Sequence, residues 1–302
     1  MTLDAGWSRR DFLQRSLILG GVLATPTLIG ACSRTEPGTG KETGDGGTLQ
    51  KIKDQGYVTV GFAGERPYAF REGGELIGEA PAIHGEIFKQ IGDVELRPQL
   101  FEFGALIPAL TGDRVDVVTA GMFITPERCE QAAFSNPEYV APTAILTAAG
   151  NPEGITDFES ALGSGGKLAV MNGAVELDYA KGNGFEDNQL QVVADQQSGL
   201  DAVKAGRAVG FALTSISLRS MAETDKAVEV AEPFVPMVDG KEQLGAGAAV
   251  FRSNDTDLID AFNEELAALL DSDKWLELVE PFGFTEAEKP DEGLTAETLC
   301  KG

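Results

Sequence analysis

The chain is short of positive charge and of long apolar runs, and each shortage excludes a class of function. Its 302 residues contain 24 Lys and Arg against 48 Asp and Glu, which gives a formal net charge of −24. Binding to nucleic acid or to an anionic membrane surface needs clustered cations, so neither is expected. No run of about 20 apolar residues exists, so no transmembrane helix is predicted in the mature chain.

Histidine and cysteine are also scarce, which leaves little material for metal or covalent chemistry. The sequence contains one histidine, His84, and three cysteines. We recognise no zinc constellation, no phosphate-binding loop and no paired nucleophile and base, and we expect no cofactor. His84 falls on the polar side of a predicted helix and is expected to be solvated. A composition of 42% hydrophobic and 24% charged residues is that of a globular protein of one large or two medium domains.

The N-terminal segment has the features of an export signal. Arg9 and Arg10 precede a weakly apolar stretch that Gly and Pro interrupt. The arginine pair resembles a twin-arginine signal, and Ile-Gly-Ala-Cys at 29–32 resembles a lipoprotein cleavage box. Residues 1–31 are therefore predicted to be a signal peptide, and Cys32 is predicted to carry a lipid. The alternative is an ordinary signal followed by a chance cysteine.

A polar segment follows the predicted signal peptide. Residues 32–48 are rich in glycine and charge and contain no large apolar side chain, so they are predicted to be a flexible tether. Lipid, tether and globular domain together predict an exported protein, anchored on the outer face of the cytoplasmic membrane by its lipid only. Such a protein would work in water.

The two remaining cysteines, Cys129 and Cys300, are a candidate disulfide. Export would place them in an oxidising compartment, where a bond would fasten the C-terminus to the body of the protein. Neither has a second Cys or a His nearby in the sequence, so a metal site is not expected. The sequence leaves open whether the two pair.

Strand and helix patterns alternate from residue 57 onward, which predicts an α/β fold. The predicted strands are 57–62, 94–101, 115–120, 144–149, 167–171, 190–194, 208–213, 227–230 and 244–251. The predicted helices are 79–91, 105–110, 175–181, 199–205, 215–222, 257–270 and 275–279. This alternation indicates a mainly parallel sheet with both faces covered. The strands and helices fall into two alternating series, followed by one more strand and two helices. This order suggests that the chain forms one lobe, then a second, and then returns to the first.

Several motifs resemble the solute-binding proteins of ABC importers for polar amino acids. They are Gly-Met-Phe-Ile-Thr-Pro-Glu-Arg at 121–128, Phe-Ser-Asn-Pro at 134–137, Gly-Phe at 61–62, Pro-Tyr at 67–68 and Phe-Gly at 103–104. Within that family, residues 78–81, 102–108, 129–131 and 212–217 resemble the branch that binds ectoine and hydroxyectoine. The resemblance covers residues 50–285 of the sequence.

The resemblance implies a periplasmic-binding-protein-like fold of two Rossmann-like lobes, with a ligand cleft between them. Residues 49–140 plus 245–302 would form lobe I and residues 146–238 lobe II, joined by a two-segment hinge at 141–145 and 239–244. It also implies a monomer that is not an enzyme and that delivers a small zwitterion to the transmembrane subunits of an ABC permease. Two alternatives stay open, namely a binder of a betaine or polar amino acid and an enzyme resembling cyclohexadienyl dehydratases.

Five of the residues that the resemblance places at the cleft determine which ligand is expected. Arg128 would grip a carboxylate through two parallel hydrogen bonds, unless it is an ordinary surface arginine. Tyr68, Phe103 and Phe123 would offer three rings to a delocalised cation, unless they only pack in the core. Amino-acid binders commonly have Thr or Ser in place of Phe123, and many have Asp in place of Thr214. Both departures favour an ectoine-like zwitterion over an ordinary amino acid.

Three further residues complete the predicted site. Glu65 is the expected acceptor for the N–H groups of the cation, the alternative being a solvated loop residue. Gly173 and Ala174 lie between a predicted strand and helix. Their backbone N–H groups would meet the ligand carboxylate at the helix N-terminus, although a plain turn also explains them.

Overall fold

The structure is a computed structural model, and it describes residues 47–302. The predicted signal peptide, Cys32 and all but the last two residues of the predicted tether lie outside the described residues. The prediction that the tether extends to residue 48 is wrong at its end, because the first helix already begins at Thr48. Among residues 47–302, no helix combines the length and the apolar composition needed to cross a bilayer.

The described chain alternates between strands and helices, as the sequence predicts. The strands are β1 (Tyr57–Phe62), β2 (Phe70–Glu72), β3 (Glu75–Ile77), β4 (Glu95–Leu100), β5 (Val117–Phe123), β6 (Ala133–Phe134), β7 (Tyr139–Val140), β8 (Thr143–Ala148), β9 (Leu168–Met171), β10 (Leu190–Val193), β11 (Gly210–Thr214), β12 (Val228–Val230), β13 (Met237–Val238), β14 (Lys241–Glu242) and β15 (Ala246–Phe251). The α-helices are α1 (Thr48–Gln55), α2 (Glu79–Gly92), α3 (Leu106–Thr111), α4 (Pro126–Cys129), α5 (Phe158–Gly163), α6 (Val175–Gly182), α7 (Gln196–Lys204), α8 (Ser215–Thr224), α9 (Thr256–Leu270), α10 (Lys274–Val279) and α11 (Ala296–Leu299).

Most strands form two main sheets, each the centre of one lobe, while β2 with β3 and β13 with β14 form two-stranded sheets of their own. The first sheet has the order β4-β1-β5-β15-β6, with β7 also paired to β15, and the second has the order β10-β9-β11-β8-β12. The first sheet takes strands from both ends of the described chain, and the second takes the strands between them. We call the two parts the first lobe and the second lobe. The two-lobed α/β fold is therefore confirmed.

Both sheets are mixed, whereas the sequence predicts mainly parallel pairing. Strands β4, β1 and β5 pair in parallel, but β15 runs antiparallel to β5. Strands β10, β9 and β11 pair in parallel, but β8 runs antiparallel to β11 and β12. The chain enters each lobe from the other on β8 or β15, so these strands need no crossover helix and can be antiparallel. The predicted crossing 141–145 overlaps β8, which begins at Thr143.

The first lobe is held together by helices packed on its sheet. All seven residues of β5 are buried, as expected for a central strand covered on both faces. Helix α2 packs its apolar stripe on α9, and the rings of Phe88 and Phe262 meet edge to face with their centroids 5.7 Å apart. Helix α2 also packs on β5, the strand that ends at Phe123.

The prediction that His84 is solvated is wrong. His84 is completely buried on α2 and lies next to Ile83 and one turn before Phe88. Its Nδ1 lies 2.8 Å from Oγ1 of Thr119, and its Nε2 lies 2.8 Å from Oε1 of Glu138. The histidine faces the core because polar partners from outside α2 satisfy both ring nitrogens, which the sequence pattern does not show.

Candidate functional site

A small cavity lies between the two lobes, and residues of both line it. The lining residues are Glu65, Tyr68, Phe103, Gly121, Phe123 and Arg128 from the first lobe, and Met171, Ala174, Val175, Glu176, Leu213 and Thr214 from the second. Phe123, Met171 and Thr214 are the last residues of β5, β9 and β11. The cavity thus lies where open α/β sheets bind ligands, outside the carboxyl ends of parallel strands.

Seven of the eight predicted ligand residues line this cavity. The eighth, Gly173, lies next to the lining residue Ala174 and contacts Arg128 through its carbonyl group. The lining residues that sequence reasoning missed are Gly121, Met171, Val175, Glu176 and Leu213. Four of these five offer only backbone and apolar surface, so the one missed residue with acid–base chemistry is Glu176.

Arg128 is held in place by a short helix and two backbone carbonyl groups. It belongs to the four-residue helix α4, whose N-terminus is capped by Thr125: the backbone N–H of Arg128 donates to Oγ1 of Thr125 at 3.3 Å. Its Nη1 donates to the carbonyl of Phe123 at 2.6 Å, and its Nη2 donates to the carbonyl of Gly173 at 2.8 Å. The guanidinium carbon lies 5.6 Å from the centroid of the Phe103 ring. Burial lowers the pKa of Arg128, but the nearby Glu176 opposes this shift.

The aromatic side chains form a connected group on the first lobe. The ring of Tyr68 stacks on Tyr139 with a centroid distance of 5.1 Å, and Phe123 lies 6.1 Å from Tyr139. Tyr139 stands behind the cavity lining, and its hydroxyl donates to the carbonyl of Gly121 at 2.8 Å. Phe103 is linked to this group through Arg128 rather than by ring contact. The three predicted rings therefore line one cavity together with the guanidinium.

Gly121 allows the ring of Tyr68 to approach the end of β5. Its φ of +60° is in the left-handed region, which favours glycine. A Cβ atom at this position would lie 2.5 Å from Cδ1 of Tyr68, which is closer than real side-chain contacts. Only glycine fits both the backbone conformation and the ring.

Glu65 is a buried carboxyl group on the first lobe. It is 6% exposed, and the hydroxyl of Ser217 on the second lobe lies 3.1 Å from its Oε1, in position to donate. Burial raises the pKa of Glu65 to about 8, helped by the proximity of Glu176 and opposed by the Ser217 hydrogen bond and the charge of Arg128. An acid buried in this way becomes ionised most readily when a cation lies next to it.

Glu176 supplies a second buried carboxyl group, from the first turn of α6. It is 1% exposed, and its Oε1 has no hydrogen-bond partner among residues 47–302. Burial raises the pKa of Glu176 to about 7, and its own backbone N–H and the charge of Arg128 oppose the shift. An unpartnered, buried oxygen in the lining of a cavity is suited to accept a hydrogen bond from a ligand.

The backbone before α6 does not form the whole anion site that the sequence predicts. The N–H of Ala174 donates to the carbonyl of Met171 at 3.1 Å, and the N–H of Asn172 donates to the carbonyl of Val193 at 2.8 Å. These two N–H groups are bonded within the second lobe, so the predicted binding of a carboxylate by the N–H of Ala174 is wrong in this structure. The reason is that a tight turn between β9 and α6 uses its own donors. Gly173 instead offers its carbonyl to Arg128.

Direct contacts join the two lobes beside the cavity. The hydroxyl of Tyr68 donates to Oγ1 of Thr214 at 2.8 Å. The backbones of Gly104 and Gly173 also meet, since a Cβ atom on Gly173, which has a φ of +79°, would lie 2.6 Å from the Cα of Gly104. The lobes are therefore in a closed arrangement, with the predicted ligand residues enclosed between them.

Cys129 and Cys300 are joined by a disulfide bond, with their Cα atoms 5.7 Å apart. Cys129 is the last residue of α4, and Cys300 directly follows α11. The bond therefore fastens the C-terminal segment to the short helix that carries Arg128.

Comparison with known proteins identifies the family. The bacterial extracellular solute-binding proteins, family 3, match residues 58–285 of the chain. The chain belongs to this family. It is the extracytoplasmic solute-binding component of an ABC importer, and proteins of this kind deliver small ligands to ABC permeases.

Three similar proteins illustrate the range of the family. The chain is 32% identical over 263 residues to the probable amino-acid ABC transporter periplasmic-binding protein y4tE of Sinorhizobium fredii, a match that covers 84% of this chain and 86% of that protein. It is 26% identical over 211 residues to the arginine-binding extracellular protein ArtP of Bacillus subtilis, covering 68% and 78%. The crystal structure of EhuB in complex with hydroxyectoine matches with a TM-score of 0.75 and 33% identity, covering 84% of this chain and 97% of EhuB. These relatives are binding proteins.

Proposed function

We propose that this chain binds ectoine or hydroxyectoine and delivers it to the permease of its importer. One observation supports the proposal most strongly: a guanidinium, three aromatic rings and two buried carboxyl groups line a single cavity. Such a set suits a small molecule with a carboxylate at one end and a delocalised cation at the other.

Arg128 binds the carboxylate end of the ligand. A guanidinium has five N–H donors in a planar fork, and the two carbonyl bonds to Phe123 and Gly173 use two of them. The remaining donors can meet both oxygens of a carboxylate, a charge-assisted contact stronger than a neutral hydrogen bond. The ring of Phe103 beside the guanidinium keeps this end of the cavity apolar.

The rings and the two acids bind the cationic end. An ectoine-type ring spreads its charge over two ring nitrogens and presents few N–H donors, so it gains from the faces of Tyr68 and Phe123 and needs few acceptors. Glu65 and Glu176, both with a raised pKa, accept the N–H groups and ionise as the cation arrives. The similarity to EhuB, whose structure contains hydroxyectoine, supports the same class of ligand.

A cationic amino acid such as arginine is the second candidate. The cavity lining has two carboxyl groups against one guanidinium, an excess of acid that a second positive charge on the ligand would balance. The similarity to the arginine-binding ArtP favours the same reading. One observation argues against arginine as the ligand. An α-ammonium group would be bound best by a carboxylate at position 214, but Thr214 has only a hydroxyl, which already accepts a hydrogen bond from Tyr68.

The ligand is delivered by a hinge motion. The ligand first contacts Arg128 and the rings of the first lobe, and the second lobe then closes through the predicted crossings 141–145 and 239–244. The protein works as a monomer on the outer face of the membrane, where the signal peptide 1–31 has been removed, Cys32 carries a lipid and the tether gives reach.

A thermal-shift screen of the purified mature protein tests the proposal. Ectoine, hydroxyectoine, glycine betaine, arginine and glutamine are added separately at the same concentration, since a ligand present at about 100 times its Kd stabilises the folded state by about 2.7 kcal/mol. We expect the largest rise in Tm with an ectoine. A rise in Tm with arginine alone would instead support the second candidate. In a separate assay the protein is incubated with prephenate, and formation of an aromatic product would show that it is a dehydratase.

A further inference from the structure

The turn that carries Glu65 and Tyr68 is held from the second lobe at a point outside the cavity lining. Gln196, the first residue of α7, accepts a hydrogen bond from the backbone N–H of Arg66 at 2.9 Å. The amide nitrogen of the same side chain donates to the backbone carbonyl of Arg66 at 2.6 Å. A glutamine side chain thus pairs with both polar backbone groups of one residue, as a neighbouring strand would.

Ser217 extends this contact to the cavity. The second N–H of the Gln196 amide points to Oγ of Ser217, at 3.1 Å. The hydroxyl of Ser217, which is completely buried, donates either to Oε1 of Glu65 at 3.1 Å or to the carbonyl of Arg66 at 2.9 Å. Both N–H groups and the oxygen of the Gln196 amide are therefore used, and two of these three bonds cross between the lobes.

We propose that Gln196 is a positioning residue that stabilises the closed arrangement of the lobes by the same amount for every ligand. It holds the turn at residues 65–69, itself closed by a hydrogen bond of 2.9 Å from the N–H of Ala69 to the carbonyl of Glu65. Gln196 does not line the cavity, so a ligand there does not contact the two bonds that it makes to Arg66. The proposal needs the cavity to be the ligand site, but not that the ligand is an ectoine.

The consequence for affinity follows from population shift. A ligand that needs the closed state has an apparent Kd equal to its intrinsic Kd divided by the closed fraction. Loss of the Gln196 contact lowers that fraction and multiplies the Kd of every ligand by one common factor. The Gln196–Arg66 bonds are exposed, so water replaces part of what is lost. We therefore expect a factor of roughly three to ten, seen mainly as faster dissociation.

The matched pair Gln196→Ala and Gln197→Ala tests the proposal. Gln197 is the next residue of α7, is exposed, and donates within the helix to Asp201 at 3.0 Å. Small-angle X-ray scattering without added ligand measures closure directly, and we expect a larger radius of gyration for Gln196→Ala than for Gln197→Ala. Titration with ectoine, hydroxyectoine and arginine then gives the factor for each ligand that binds. Both variants should keep a cooperative unfolding transition, which excludes a general loss of folding.

The experiment tests the role of Gln196 even if the ligand is not an ectoine. Equal scattering of the two variants would overturn the proposal, and so would a loss of affinity for one ligand that spares another. Gln196→Glu adds a check at nearly constant size, because it keeps the acceptor for Arg66 but loses both donors. It should open the protein relative to the parent, because a carboxylate oxygen then faces the carbonyl of Arg66 in place of the amide N–H. A Gln196→Glu protein as closed as the parent would contradict the proposal.

Discussion

The hydroxyl of Tyr68 donates a hydrogen bond of 2.8 Å to Oγ1 of Thr214, and this bond crosses from the first lobe to the second. Both residues line the cavity. The position where the family resemblance predicts an aspartate in many amino-acid binders is therefore used here to fix an aromatic ring. Under the proposed function, this one contact couples ligand selection to lobe closure.

Removal of the Tyr68 hydroxyl should weaken ligand binding and leave the ring in place. In Tyr68→Phe the lobes lose a buried hydrogen bond and the hydroxyl of Thr214 loses its partner, so we expect Kd to rise about three- to tenfold. Isothermal titration measures the change. Tyr57→Phe is the control, because Tyr57 lies at the start of β1 under the guanidinium of Arg97, away from the cavity lining. An unchanged Kd in Tyr68→Phe would show that the bond does not contribute to closure.

Arg128→Lys should abolish tight binding although it keeps the positive charge. An ammonium group cannot bond to a carboxylate and to the carbonyl of Phe123 in the planar geometry of a guanidinium. We expect Kd to rise about 10- to 100-fold, as judged from the strength of charge-assisted pairs. Arg207→Lys, at an exposed position, is the control and should bind like the parent. A fully active Arg128→Lys protein would mean that the ligand carboxylate binds elsewhere.

Gly121→Ala should cost more stability than the same change at Gly206. The two glycines have similar φ values, +60° and +66°, but a Cβ atom on Gly206 meets nothing within 4 Å, whereas one on Gly121 meets the Tyr68 ring. Both variants carry a backbone cost of about 1–2 kcal/mol. Only Gly121→Ala adds about 1–3 kcal/mol of overpacking, and it should also lose ligand affinity. Urea unfolding compares the two, and equal losses would contradict the close packing at the end of β5.

Stability should fall as the pH rises from about 5 to about 8. Burial raises the pKa of Glu65 to about 8 and that of Glu176 to about 7 from the usual 4.5, so the folded state binds more protons than the unfolded chain in this range. The contribution is fully present below the unfolded pKa and is lost as the pH passes the folded pKa values. Urea unfolding at several pH values checks this dependence.

Glu65→Gln should flatten that pH dependence, because the amide does not titrate. Glu232→Gln changes an exposed residue and should leave it as in the parent. A pH dependence that is the same in all three proteins would show that Glu65 is ionised throughout.

The sequence predicts those strands and helices whose pattern of apolar residues matches their burial in the folded protein. Strand β1 matches its predicted bounds, because its apolar run is also buried in the sheet. The sequence analysis predicts no helix at α1, since its sequence is mostly polar and only Ile52 in it is buried. It is held by contacts distant in sequence, such as the hydrogen bond of 2.5 Å from Thr48 to Asp255. Long-range partners of this kind leave no local signal.

The sequence predicts the site residues that belong to a recognisable motif. It does not predict those whose role depends only on being buried in the folded protein. Arg128 and the rings belong to recognisable motifs. Glu176 stands in the first turn of a helix, where an acidic residue is ordinarily explained by the helix dipole. Only the tertiary structure shows that it is buried near Arg128, and the same holds for His84 and its partner Glu138.

Calorimetric titration of the mature protein with ectoine, hydroxyectoine, arginine and glutamine tests the central proposal most directly. The account predicts that an ectoine binds one to one and about 100-fold or more tighter than either amino acid, since the rings and the hydroxyl of Thr214 favour a delocalised cation. Tight binding of arginine without measurable heat from either ectoine would contradict it.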